Sequence, residues 1–222
     1  MPVLNLRQPT ISTKHCCSVR SSDHRFAILL AAGAGRRFGG RKMLADWHGQ
    51  PLIRASAAIA LQAPVARVLA ISGADHSDIV TALGPLHSER LSIHQNRDWS
   101  TGIASSLGLG LKLLPAEAEQ VVVFLGDMPL VPVEAASALF NALDGGAPAA
   151  LSTYRDMPAH PVAFTRSLFP SLSRLSGDRG GRAILSEAPG AVTVPVSNED
   201  CVFDIDYHDQ QRLPSSKAKA GS

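Results

Sequence analysis

Two kinds of chemistry-bearing residue stand out in this chain: a cationic, glycine-rich stretch near its start and carboxylates far downstream. The stretch runs Gly33-Ala34-Gly35-Arg36-Arg37-Phe38-Gly39-Gly40-Arg41-Lys42, with no acid between Arg25 and Asp46. Glycine lets a backbone turn sharply and approach another molecule with no Cβ in the way. Successive N–H groups in such a turn form an anion-binding concavity. A loop with bare donors and four cations suits a polyphosphate. The plainer reading is a strand-to-turn connection with basic surface residues.

Better-known phosphate loops fit less well. A Walker loop needs Gly-x-x-x-x-Gly-Lys-Ser/Thr, and no such string exists here. A dinucleotide-binding fold asks for Gly-x-Gly-x-x-Gly with an acid about twenty residues on. Here the spacing is Gly33-x-Gly35-x-x-x-Gly39, and no acid lies around Arg54 to Ala57.

The carboxylates come in two places. Gly126-Asp127-Met128-Pro129 follows an apolar run. A carboxylate at the end of a buried strand, beside a phosphate loop, is a natural ligand for Mg²⁺, which takes one or two carboxylates plus phosphate oxygens and water. Its plainer role is to cap the turn or the helix that begins near Pro132. Further on, Asp204 and Asp206 stand two apart in Phe203-Asp204-Ile205-Asp206-Tyr207-His208. On an extended segment they point the same way, and one of them reaches a metal held by Asp127, unless the segment is only a polar strand end.

These groups need elements to hold them. Phe26 to Ala32 is continuously apolar, as in a strand buried on both faces. A helix is predicted over Pro51 to Ala63, with proline in its first turn, and a strand over Val65 to Ser72. Ser77 to Leu83 reads as a helix stopped by Gly84-Pro85, Leu91 to Gln95 as a strand and Gly102 to Leu114 as a helix. Gln120 to Leu125 is a strand and Val133 to Leu143 a helix closed by Gly145-Gly146. Ala149 to Thr153 and Val162 to Phe164 read as strands, Arg179 to Glu187 as a helix. This alternation predicts an α/β fold, a mostly parallel sheet with helices on both faces in a Rossmann-like three-layer α/β/α arrangement. Ligands of such a sheet collect beyond strand C-termini. The basic loop, the segment Asn96 to Ser106 and the turn at Asp127 all follow predicted strands.

The 222 residues suffice for one such domain, and a 45% hydrophobic composition supplies its core. A net charge of +2 argues against broad attraction to nucleic acid or membrane. Three cysteines, Cys16, Cys17 and Cys201, make neither a disulfide framework nor a zinc site. They accord with a reducing compartment, and a cytoplasmic location is expected. No apolar run approaches a membrane span. Residues 1–24 read as a tail, with six Ser/Thr and one acid. Their composition would pass for a transit peptide, but a disordered extension is the simpler assignment. Residues 213–222 also read as a tail, which leaves 25–212 as the folded domain.

With the motifs in hand, the chain resembles a known family. Leu30-Ala-Ala-Gly33-x-Gly35-x-Arg37-Phe-Gly39-x-x-Lys42 looks like the signature of the MobA-like nucleotidyltransferases, whose fold is that of the nucleotide-diphospho-sugar transferases. Ala32 before Gly33 places it nearest the molybdenum cofactor cytidylyltransferases. The resemblance continues at Asn96-x-x-Trp99-x-x-Gly102-x-x-Ser105-Ser106, Gly126-Asp127-Met128-Pro129 and His160-Pro161-Val162. It recurs at Gly177-Asp178-Arg179-Gly180-Gly181-Arg182 and Asp204-Ile205-Asp206. Departures are Ala159, where the family usually has glycine, and Tyr207-His208-Asp209 after Asp206.

The resemblance implies Mg²⁺-dependent transfer of CMP from CTP to molybdopterin carrying molybdenum, with release of pyrophosphate. It implies nucleotide contacts at Ala31, Ala32, Gly33, Ala34, Gly35, Arg36, Arg37, Gly39 and Lys42, and at Ser72, Gly73, Asn96, Gly102, Ser105, Ser106 and Asp127. Arg37, Lys42 and Asp127 would be catalytic, and Asp127 with Asp206 would hold the metal. Trp99, His160, Asp178 and Arg182 would face the acceptor. An apo molybdenum hydroxylase is the implied partner of a monomer or weak oligomer. A related enzyme using another NTP or acceptor, a non-catalytic carrier of the pterin and a nucleotide-binding redox domain are the other readings. His160 as a satisfied buried histidine and Arg182 as a solvated helix face stay open.

Overall fold

A computed structural model describes residues 22–35, 38–185, 187–196 and 199–202. Arg36, Arg37, Asp204 and Asp206, together with most of both expected tails, lie outside the described residues. Among the nine strands of the described residues, β1 (Arg25–Ala31), β4 (Arg67–Ser72), β5 (Leu91–Gln95) and β6 (Gln120–Leu125) join β7 (Ala149–Tyr154), β8 (Met157–Thr165) and β9 (Val192–Pro195) in one sheet. The order is β5-β4-β1-β6-β8-β7-β9. Only β8 runs against the rest: it pairs antiparallel with β6 and β7, while every other pairing is parallel. A two-stranded hairpin, β2 (Asp46–Trp47) with β3 (Gln50–Pro51), stands apart.

β1 is buried along its whole length, and its alternating side chains feed two cores. Ala27, Leu29 and Ala31 meet α1 (Leu52–Gln62), α2 (His76–Leu83) and α4 (Val133–Asp144) on one face. Phe26, Ile28 and Leu30 meet α3 (Ile103–Leu113), α5 (Phe169–Leu172) and α6 (Arg182–Leu185) on the other. Burial on both faces explains why this strand is continuously apolar rather than alternating. The expected three-layer α/β/α architecture with a mostly parallel sheet is what the chain adopts.

Two expectations are corrected. The strand expected at Val162 to Phe164 spans Met157–Thr165. Pro158 and Pro161 masked it, since proline removes a ladder donor. The chain tolerates Pro161 because the β7–β8 register shifts between Leu151 and Thr153. β8 turns back because Arg155 and Asp156 both take left-handed backbone, with φ of 49° and 62°, in a two-residue hairpin loop. The helix expected over Arg179 to Glu187 shrinks to Arg182–Leu185. Gly180 and Gly181 do not propagate helix, and a Cβ on Gly181 would come within 2.8 Å of the Phe164 ring.

Candidate active site

The chain leaves β1 for β4 and β5 on one side, then returns through α3 to β6 on the other. The C-terminal ends of β1 and β6 therefore form the crevice where strand order reverses, the usual ligand position in such a sheet. A cavity of about 390 Å³ occupies that position, within the size range of small-molecule sites. Ala32, Gly33, Ala34 and Gly35 form one wall. Asp127 projects from the end of β6, and Trp99, Gly102 and Ser106 come from the segment entering α3. Asp178 closes the lining from a distant loop.

The glycine loop is held at three points. Phe38 is buried in a small cluster with Trp47 and Leu52, beside the β2–β3 hairpin. The Phe38 and Gly40 amides both donate to the Gly35 carbonyl, at 2.9 and 3.0 Å. That removes Phe38 from the expected run of bare donors, whereas Ala34 and Gly35 give their amides to no backbone acceptor among the described residues. Gly35 takes φ +61°, and a Cβ there would lie 2.6 Å from the Lys42 Cβ. Only glycine permits this turn and this approach. Lys42 is thereby aimed inward from the 3-10 turn Lys42–Leu44, and its Nζ donates to Asp127 Oδ2 at 2.8 Å. The Lys42 side chain is 7% exposed and that of Asp127 21%. Arg41 turns the other way, to an exposed ion pair with Asp78 on α2. Of the four cations in the loop, Arg41 and Lys42 thus pair with carboxylates.

Asp127 is set by its neighbours. The Gly126 amide donates to the Leu30 carbonyl, and Ser56 Oγ donates to the Gly126 carbonyl. A Cβ on Gly126 would come within 2.9 Å of Ile53 and Met43. The turn therefore packs directly on α1, with its carboxylate directed to the cavity. Asp127 Oδ1 accepts no hydrogen bond from the described residues, so the group keeps donor capacity for a hard cation. Among the described residues no three His, Cys, Asp or Glu gather as a ready metal cluster. A divalent ion here would take Asp127 with phosphate oxygens and water, which suits Mg²⁺.

The second wall is built around Asn96, which is buried. Its Nδ2 donates to the hydroxyls of Ser105 and Ser106 at 2.8 and 2.9 Å, and its Oδ1 accepts from the Asp98 amide at 3.0 Å. The side chain's hydrogen bonds are turned inward, holding the turn that presents Trp99 and the start of α3. Gly102, at φ +115°, caps α3, and a Cβ there would sit 2.2 Å from the Gly177 carbonyl. That carbonyl accepts from the Ala104 amide, which pins the 177–182 loop and Asp178 over the cavity.

Other candidates stand behind or beside the lining. Ser72 is fully buried, bonded to His76 Nδ1 and the His94 carbonyl, and Gly73 packs against the Ala32 carbonyl. Ala31, Gly39 and Ser105 also lie outside the lining. His160 is half-buried, and its Nδ1 is enclosed with no hydrogen-bond partner among the described residues. Burial, and secondarily the charge of Arg182, lowers its pKa from 6.5 to about 3, so the ring is neutral. Arg182 is exposed and reaches the Pro158 carbonyl. The lining also includes Leu30, which opens the glycine-loop signature, and Met43, Ser100, Ile103 and Leu125, which the motifs did not single out. Leu125 and Ile103 could have been found from the strand-end rule. Met43 had no signal beyond adjacency to Lys42.

A glycine loop and a carboxylate at the switch point of this sheet define a nucleotidyltransferase of the nucleotide-diphospho-sugar transferase fold. More particularly, the chain belongs to the MobA-like NTP transferase family, whose domain matches residues 27–192. Among relatives, the purine catabolism protein PucB of Bacillus subtilis (strain 168) is 28% identical over 74% of this chain and 82% of its own length. The molybdenum cofactor cytidylyltransferase of Escherichia coli K12 is 22% identical over 82% of this chain and 91% of its own. Of solved structures, the Mycobacterium sp. strain JC1 homologue of Mycobacterium tuberculosis Rv0371c superposes with a TM-score of 0.73 at 27% identity, over 84% of this chain and 92% of its own. The manganese complex of Rv0371c superposes at 0.69 with 22% identity, over 85% of this chain and 95% of its own.

Proposed function

We propose that this protein transfers CMP from CTP to a phosphorylated acceptor, the molybdenum-bearing molybdopterin, with Mg²⁺, releasing pyrophosphate. The observation that carries the reading is the meeting of Lys42 and Asp127 at 2.8 Å at the crevice where the glycine loop ends. One group is suited to a phosphate and the other to its counter-ion. The Gly33–Gly35 wall, with Arg36, Arg37, Gly39 and Lys42, holds the triphosphate. Asp127, joined by Asp206, holds the metal ion, which neutralises phosphate charge when bound. Trp99, His160, Asp178 and Arg182 face the acceptor. An acceptor phosphate oxygen attacks the α-phosphorus, and the bond to pyrophosphate breaks. The protein's share is alignment and charge neutralisation rather than covalent chemistry. Ser72, Gly73, Asn96 and Ser105 act from behind, by shaping the walls.

A second reading, transfer of another nucleotide or to another acceptor, is favoured by the higher identity to PucB than to the cytidylyltransferase. Purified protein with Mg²⁺ and each of the four NTPs, with and without molybdenum cofactor, separates the two by pyrophosphate release. CTP with cofactor is expected to give the signal. Cofactor binding without pyrophosphate from any NTP would show a carrier instead. Asp127→Ala is expected to lower turnover by about 100-fold or more while the protein stays folded by circular dichroism. Normal turnover of that variant would remove Asp127 from the metal site.

A further inference from the structure

We infer that Asp178 selects the acceptor by the edge of its ring: the carboxylate takes two neighbouring N–H donors of a planar heterocycle, an amino group beside a ring N–H. The inference rests on the acceptor-side reading above and names the chemistry that side would recognise. Asp178 lines the cavity with Asp127, and no other carboxylate among the described residues does. The two differ in setting. Asp127 stands beside the phosphate-suited loop and pairs with Lys42. Among the described residues Asp178 accepts no hydrogen bond and pairs with no cation. The adjacent Arg179 reaches away to Glu187 at 3.3 Å. A carboxylate so placed is a pure acceptor: it repels phosphate and takes donors.

Backbone packing fixes its position. The Gly177 carbonyl accepts from the Ala104 amide at 3.1 Å and fills the space that a Gly102 Cβ would need. Beyond Asp178 the loop comes down on Ile103, where a Cβ on Gly180 would stand 3.9 Å from the side chain. Trp99, Ile103 and Leu125 line the same cavity. They offer apolar surface to a ring face, while Asp178 offers two oxygens to the ring edge. Two parallel N–H···O bonds to one carboxylate fix the orientation of a flat partner as well as its chemistry. An aminopyrimidinone ring, as in a pterin or a guanine, has that edge. A ring with a carbonyl in place of the amino group meets the carboxylate acceptor to acceptor.

The test uses the full chain and two fluorescent probes of one shape: pterin, and lumazine, in which a carbonyl replaces the amino group. Each Kd is read from probe fluorescence. The wild type is expected to bind pterin about tenfold or more tightly than lumazine, the discrimination of one bidentate contact. Asp178→Asn replaces one acceptor by a donor that suits lumazine, so the preference is expected to vanish or invert. Trp99→Ala is expected to weaken both probes alike and to keep their ratio. Equal binding of the two probes by the wild type, binding of neither, or a preference that survives Asp178→Asn overturns the inference. GTP and CTP affinities of Asp178→Asn are measured by calorimetry. A loss of GTP affinity that matches the loss of pterin affinity gives the carboxylate to the nucleotide base and also overturns it. Pyrophosphate release by the wild type is scored separately. Release with molybdenum cofactor, when the probes are not distinguished, sinks the ring-edge selection and leaves the enzymatic reading standing. No release with any NTP sinks the enzymatic reading, whatever the probes show.

Discussion

Residue identity and residue position diverge most at His160. The sequence marks it through its neighbour Pro161, yet only the fold encloses its Nδ1 without a partner and lowers its pKa to about 3. The folded protein therefore holds the ring neutral where the unfolded chain protonates it. Below pH 6.5 the unfolded state binds the extra proton, so stability is lost as pH falls and the loss levels off only near 3. At full slope one such proton costs about 1.4 kcal/mol per pH unit. Urea unfolding of wild type and His160→Asn across that window tests this: the stability difference between them is expected to shrink or reverse with acidification. A difference independent of pH would show that the ring titrates normally. Arg41 gives the complementary lesson. As a letter in a basic loop it counted toward phosphate, but its left-handed backbone, φ 52°, turns it to Asp78.

Among the elements, the segment entering α3 and the 177–182 loop act as a unit. Gly102 and Gly177 are far apart in sequence, and each had been assigned to a separate motif. In the fold the Gly177 carbonyl sits where a Gly102 Cβ would be, 2.2 Å away. Gly102→Ala therefore faces both strained backbone at φ +115° and a carbonyl overlap. A loss of about 1–3 kcal/mol is expected, readable as a lower urea midpoint. The loop carrying Asp178 must shift to make room, so KM for the acceptor is expected to rise more than KM for the nucleotide. Equal effects on both would separate Asp178 from the acceptor. The lengths of α6 and β8 are also decided at this scale. Glycines shortened the helix where neighbouring motifs suggested continuity, and prolines hid a strand whose register shift accommodates them.

For the molecule as a whole, the site end of the sheet is balanced by a polar anchor at the other end. Arg25 at the start of β1 bonds Gln120 at the start of β6 and pairs with Asp144 at the end of α4, with its guanidinium 4.9 Å above the Phe140 ring. Gln120 bonds Asp144 in turn. Both charged side chains are largely buried, at 7% and 14% exposure. Asp144→Ala leaves Arg25 enclosed without its carboxylate and is expected to cost about 3 kcal/mol or more. Thermal unfolding would show it as a lower Tm. KM values at temperatures where the variant is folded are expected to be unchanged, because the anchor lies at the strand ends remote from the cavity.

The alternation of elements, the doubly buried first strand, the glycine loop and the aspartate just beyond β6 were legible in the chain itself. Each is a local pattern: periodicity, backbone permissiveness, or a charged group next to a turn. The partners were not legible. That Lys42 meets Asp127, that Gly102 admits Gly177 and that Arg25 pairs with Asp144 all depend on strand order. These contacts join residues well separated in the chain, and only the packing of helices on a sheet of defined register decides which side chains share one small volume.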